Sequence, residues 1–131
     1  MMKFSDPYRR MTKRILIVDD NALVRQQIRR LLESHREIEI CAEATDGAEA
    51  VLKVSECHPD LVVLDFLMPR MNGLEAARKI RKLAPKLPIL LFTLDQNAEI
   101  EREGQRAGAD VVLPKANGGS QLYAVVHRLL Q

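Results

Sequence analysis

Apolar residues alternate along this chain between two patterns. Short unbroken runs occur at 15–18 (Ile-Leu-Ile-Val), 61–64 (Leu-Val-Val-Leu), 89–92 (Ile-Leu-Leu-Phe) and 111–114 (Val-Val-Leu-Pro), and a partly alternating stretch covers 38–44. Such runs predict buried parallel strands, whereas apolar residues spaced three and four apart predict helices. Asn21 caps a first helix reaching about residue 35, with Val24, Ile28 and Leu31 on one face. Thr45-Asp46-Gly47 turns the chain into a short helix over 48–56, which His58-Pro59-Asp60 breaks. Met68-Pro69 and Asn72-Gly73 punctuate the loop 66–73, and Leu74, Ala77, Ile80 and Leu83 line a third helix that stops before Pro85 and Pro88. A fourth helix over 98–107 has thin apolar cover (Ala98, Ile100, Gly104) and stops at Gly108. After Asn117-Gly118-Gly119, a last helix turns Leu122, Val125, Val126, Leu129 and Leu130 inward.

Five strand–helix units with short connections imply an α/β architecture: a doubly wound, five-stranded parallel sheet with helices on both faces and right-handed crossovers. At 131 residues the chain has room for one such domain with a sizeable core. Its 47% hydrophobic and 29% charged content excludes disordered and fibrous classes. No apolar stretch reaches the length of a membrane span and the polar N-terminus lacks a signal-peptide core, so a cytoplasmic location is expected. The net charge of +2 hides a basic lead-in. Residues 1–14 carry five cations against Asp6, or +4, which leaves −2 for the remainder. Residues 1–12 therefore read as a flexible basic lead-in and 13–131 as the folded domain. A basic excess on a tail, in a chain without Trp, does not point to nucleic-acid binding. Cys41 and Cys57 lie apart with no metal-ligand spacing and read as small apolar residues. His35, His58 and His127 are scattered near element ends and show no metal triad.

The strand ends carry the chemistry. The four unbroken runs lead into Asp19-Asp20, Asp65, Thr93 and Lys115, and open α/β sheets place their sites at the carboxyl ends of strands. Two carboxylates about 4 Å apart repel by about 4 kcal/mol at an effective dielectric near 20. A hard divalent cation removes that cost, and Mg²⁺ is normally held by one or two carboxylates with waters and phosphate oxygens. Capping of the first helix by Asp19 and Asp20 is the simpler alternative, but Asp65 at the end of a second buried strand favours the metal. Asp65 is the candidate nucleophile, since a carboxylate can attack phosphorus to form an aspartyl phosphate. Lys115 supplies a compact positive charge and Thr93 a hydroxyl donor for phosphoryl oxygens.

These residues resemble a response-regulator receiver domain, the phosphorylated half of two-component signalling. The resemblance covers 13–131 and rests on Asp19-Asp20, the string 65–73 (Asp-Phe-Leu-Met-Pro-Arg-Met-Asn-Gly), Thr93, and Gly108-Ala109-Asp110 leading to Lys115. It implies a flavodoxin-like (βα)5 fold and a phosphorylation switch, not an enzyme with an external substrate. By this likeness Asp65 accepts a phosphoryl group from a histidine kinase or phosphotransfer protein. Asp20 and Asp65 bind Mg²⁺ with the backbone carbonyl of Leu67, and Asp19 acts mainly through metal-bound water. Thr93 moves toward the phosphate, Lys115 pairs with it, and a downstream protein target reads the changed surface. A monomer is expected, the face of the fourth and fifth helices being where receivers dimerise.

Three positions depart from the family pattern. Val112 stands where an aromatic usually reports phosphorylation, so an inward ring swing cannot occur. Leu94 stands where Ala or Gly usually leaves space at the phosphate, and is expected to narrow access to Asp65. Pro114 precedes Lys115 where proline more often follows it. Competing readings are a phosphate-independent interaction module, a receiver cut from a DNA-binding regulator, and a Mg²⁺ phosphatase of the haloacid-dehalogenase type. Phosphatases of that type place a second acid two residues after the nucleophile; here that residue is Leu67.

Overall fold

The computed structural model describes residues 12–68, 71–94, 97–115 and 118–131, without the side chains of 118–120. Most of the expected lead-in and Pro69 lie outside the described residues. Five strands alternate with five helices: β1 (Lys13–Val18), α1 (Ala22–Glu33), β2 (Ile38–Ala44), α2 (Gly47–Cys57), β3 (Leu61–Asp65), α3 (Gly73–Leu83), β4 (Ile89–Thr93), α4 (Ala98–Ala107), β5 (Val111–Pro114) and α5 (Gly118–Leu129). All pairings are parallel, in the order β2-β1-β3-β4-β5. This is the flavodoxin-like receiver fold, with β1 and β3 adjacent at the centre.

Successive strand residues point to opposite faces, which divides the core in two. Leu16, Val18, Val62, Leu64, Ile89 and Leu91 pack with Ala50, Val54, Ala76, Ala77, Ile80 and Ala107 beneath α2, α3 and α4. Ile15, Ile17, Leu61, Val63, Leu90, Phe92 and Leu113 pack with Ile28, Leu32, Leu122 and Val126 beneath α1 and α5. Burial on both faces explains why the central strands read as continuous apolar runs.

Helix starts follow local chemistry. The side chain of Asn21 accepts from the amides of Leu23 and Val24, that of Asp46 from Glu49, that of Asn72 from Glu75 and that of Asn97 from Ile100. Each satisfies an amide that the first helical turn leaves without a partner. Gly108, at φ 112°, ends α4 in a left-handed conformation. Boundaries shift slightly from the sequence reading. β1 begins at Lys13, two residues before the apolar run, because Lys13 donates its amide to the Glu37 carbonyl at 2.7 Å and Arg14 donates its own to Asp60 Oδ2 at 2.8 Å. Strand pairing depends on the backbone, so polar side chains extend it. α1 stops at Glu33, where the Ser34 hydroxyl donates to the Leu31 carbonyl.

Outside the core, Glu43 of β2 ties α1 to the sheet. Arg25 Nε donates to Glu43 Oε1 at 2.8 Å and Arg29 Nε to Glu43 Oε2 at 2.7 Å. Burial pushes the Glu43 carboxyl up, but the two guanidinium hydrogen bonds outweigh it and hold its pKa below the ordinary 4.5. A carboxyl with a depressed folded pKa adds stability above its unfolded value and loses it as pH falls through the folded one. Glu43→Gln is therefore expected to cost about 1 kcal/mol at pH 7. The difference in Tm between variant and wild type should shrink as pH falls from 4.5 in a thermal-melt series.

Candidate acidic phosphoacceptor site

Because β1 and β3 are neighbours, with Val18 opposite Leu64, the residues following them meet at one edge. Asp19 continues the strand geometry, its amide donating to the Ala44 carbonyl at 3.1 Å. Carboxylate oxygens of Asp19, Asp20 and Asp65 all lie within 4.8 Å of one another. Asp19 and Asp65 are buried, at 2% and 6% exposure, while Asp20 faces solvent. One wall of the cluster is sealed and the other open.

Lys115, just beyond β5, reaches across to the carboxylates. Its Nζ stands 2.8 Å from Asp65 Oδ1 and 3.3 Å from Asp19 Oδ2, and 5.8 Å from the centroid of the Phe92 ring. That ring lies within cation–π range and shields one side of the ammonium. Thr93 ends β4 beside β3 and is buried at 2% exposure. The five chemistry-bearing side chains expected from the strand ends thus share the carboxyl edge of the sheet. The Leu67 side chain is 62% exposed beyond β3.

The charges do not balance. Burial, together with the charges of Asp19 and Asp20, pushes the Asp65 carboxyl above the ordinary 3.8, even though the Lys115 hydrogen bond pulls it down. Burial works against the Lys115 ammonium, but its bonds to Asp65 and the Asp19 charge hold its pKa above the ordinary 10.5. The two directions agree, since one cation facing three carboxylates leaves a net negative site. The donor set suits a hard, oxygen-preferring cation.

Two residues at the start of α1 hold the cluster in place: Asn21, read from the sequence only as a helix cap, and Arg25, which that reading did not single out. Asn21 donates its amide to Asp19 Oδ1 at 2.9 Å, and Arg25 Nη1 donates to the Asp19 carbonyl at 2.7 Å. Arg25 thereby links the site to Glu43. Its one sequence signal was a charged position on the first turn of α1, which marks a solvated face equally well. Behind Asp65, a Cβ on Gly73 would lie 2.3 Å from the Asp65 carbonyl oxygen, so only glycine lets α3 start this close to the strand end. Val112 is partly buried against the core and meets the bare Cα of Gly104 on α4. Leu94 is 71% exposed just past Thr93.

The model of the response regulator receiver domain matches residues 15–127. The chain belongs to the response regulator receiver family. It is similar to a protein-glutamate methylesterase/protein-glutamine glutaminase of Pyrococcus abyssi, with 44% identity over 78% of this chain and 28% of that protein. It is also similar to the response regulator MprA of a Mycobacterium species, with 40% identity over 92% of this chain and 52% of that protein. This receiver therefore spans about half or less of the curated relatives it matches. A solved two-component response regulator of the LuxR family, from an Aurantimonas species, superposes with a TM-score of 0.87 at 35% identity, covering 91% of this chain and 85% of that one. In this receiver domain the acidic cluster lies at the carboxyl edge of the sheet.

Because the Asp65 pKa is raised, its ionisation opposes folding: the stability of the protonated form is lost as pH rises through the folded pKa. Asp65→Asn is expected to raise Tm at pH 7 in metal-free buffer, by a stabilisation on the order of 1 kcal/mol. A thermal melt of the two proteins in chelator checks this.

Proposed function

We propose that this receiver is a phosphorylation switch in which Asp65 accepts a phosphoryl group from a histidine kinase or phosphotransfer protein. The carrying observation is the buried Asp65 carboxylate, 2.8 Å from Lys115, at the centre of a three-carboxylate cluster. Asp65 Oδ attacks the phosphorus in line while the phosphorus–nitrogen bond of the donor phosphohistidine breaks, returning a neutral imidazole. Lys115 passes from Asp65 to a phosphoryl oxygen, keeping Asp19 as its second partner. Thr93, at the end of the neighbouring strand, supplies a hydroxyl to another phosphoryl oxygen. Asp20, Asp65 and the Leu67 carbonyl would hold Mg²⁺, with Asp19 acting through metal-bound water. When bound, the ion neutralises the crowded carboxylates and the charge gathering on the phosphoryl oxygens.

Readout falls to α4, β5 and α5. Gly104 and Ala107 are the buried residues of α4, so little apolar surface anchors it. Val112 is an aliphatic residue packed between the core and Gly104 of α4, so the signal travels by displacement of α4 and not by rotation of a ring at this position. The partner is a protein target. No described helix is long and apolar enough to cross a membrane, and Leu67 stands where a haloacid-dehalogenase phosphatase would need its second acid. Leu67 at that position favours a switch over a phosphatase of that type.

The test is incubation with acetyl phosphate and Mg²⁺ followed by intact mass. One phosphoryl group per chain is expected, requiring Mg²⁺ and absent in Asp65→Asn. If neither acetyl phosphate, beryllium fluoride nor a panel of kinases modifies or binds Asp65, the phosphate-independent module replaces this reading. Leu94→Ala is expected to quicken both labelling by acetyl phosphate and loss of the label several-fold, because Leu94 replaces the Ala or Gly that usually follows the threonine and leaves space at the phosphate. Unchanged rates would show that it does not restrict access to Asp65.

A further inference from the structure

Cys41 and Cys57 are 16 positions apart in sequence, yet the Cys57 Sγ lies 3.9 Å from the Cys41 carbonyl oxygen. Both are free thiols and half-buried. Neither belongs to the acidic site, and each occupies an unusual backbone position. In the β1–β2 register Ile15 faces Ile40 and Leu16 faces Ala42, which leaves Cys41 as the extra residue of a bulge. β2 is an edge strand, paired to β1 alone. A bulge residue on an edge strand lacks the regular ladder and can shift locally at little cost. Cys57 is the last residue of α2, followed by His58 in a left-handed conformation at φ 51°. The Arg14 guanidinium donates to the Cys57 carbonyl and so fixes the helix end over the strand.

We propose that Cys41 and Cys57 form an intramolecular disulfide when the chain meets a low-molecular-weight disulfide, making this pair an oxidative modification site separate from Asp65. The Cys57 thiolate attacks one sulfur of the small disulfide, forming a mixed disulfide and releasing one small thiol. Cys41 then attacks the Cys57 sulfur, its S–H proton leaving with the second small thiol. Two protein thiols are oxidised and one small disulfide is reduced to two thiols. Burial, with the neighbouring Cys57, pushes the Cys41 thiol up to about 11. The opening attack therefore falls to Cys57, and Cys41 resolves the mixed disulfide, helped by its proximity. The resulting loop encloses all of α2 and pins its end to the edge strand. A cross-link of this length restricts the unfolded chain far more than the folded one.

The experiment incubates the full chain with oxidised glutathione at pH 8, quenches with acid, alkylates the remaining thiols and reads intact mass with peptide mapping. The expected product is a monomer lighter by two hydrogens, with Cys41 and Cys57 in one cross-linked peptide pair. Its Tm should exceed that of the reduced protein by about 5 °C. Cys41→Ser should stop at a single glutathione adduct on Cys57. Cys57→Ser should react about tenfold or more slowly, at Cys41. A wild-type chain that ends with glutathione on both cysteines, with both thiols free, or as intermolecular dimers would overturn the proposal. The readout uses wild-type protein, so it does not depend on either variant folding well, and it is independent of phosphorylation at Asp65.

Discussion

Like-charge crowding at the carboxyl edge of the sheet is the constraint around which this domain is arranged. Three carboxylates fall within 4.8 Å of one another, two of them buried, and among the described residues the Lys115 ammonium pairs with them. Carboxylates at such distances repel by several kcal/mol even with substantial screening. The fold tolerates this because the rest of the structure over-determines the strand ends: ladder hydrogen bonds fix Asp19 and Phe66, and two apolar cores clamp β1 and β3 from both faces. Stability is invested in the scaffold, and the edge is left short of positive charge. A divalent cation held by these carboxylates would relieve their repulsion.

The supports reach beyond the residues that touch the site. Arg25 joins the Asp19 backbone to Glu43 on the edge strand, so the position of α1 and the geometry of the β1 terminus move together. On the far face, Gly73 lets α3 begin against the Asp65 carbonyl, and α2 packs its own glycine, Gly47, against Met71 of the loop that follows β3. At the opposite end of the sheet, Arg81 of α3 donates to the Gly108 carbonyl and pairs with Asp110 at 3.0 Å, tying α3 to the turn before β5. α4 lies between these fixed points with Gly104 and Ala107 as its buried residues, so its own apolar anchorage is small.

The central strands were legible because burial on both faces leaves no room for polar residues, and no other short element has that requirement. The first helix start was legible at Asn21, whose side chain caps locally, whereas Asn72 read only as loop punctuation and proves to cap α3. Boundaries were less so, since β1 extends through Lys13 and Arg14 by backbone pairing, which side-chain hydropathy does not record. Two of the three histidines come together around one ring: His35 stacks on Tyr123, which tilts against His127 and whose hydroxyl donates to Glu37. Cys41 and Cys57 likewise seemed remote, because a bulge and a helix end brought them together and neither has a pattern of its own.

The amino-acid sequence by itself determined the order of the elements, the two-faced burial of the sheet and the residue types waiting at the strand ends, because these depend on local periodicity and capping. Only the tertiary structure decided which strand ends meet. Placing β1 beside β3 converts separate aspartates into one charged cluster, and Lys115, nearly the length of the domain away from Asp19 in sequence, becomes its counter-ion at 3.3 Å. Distance in space, and with it the electrostatics of the acidic edge, comes from strand order and packing, which no local pattern encodes.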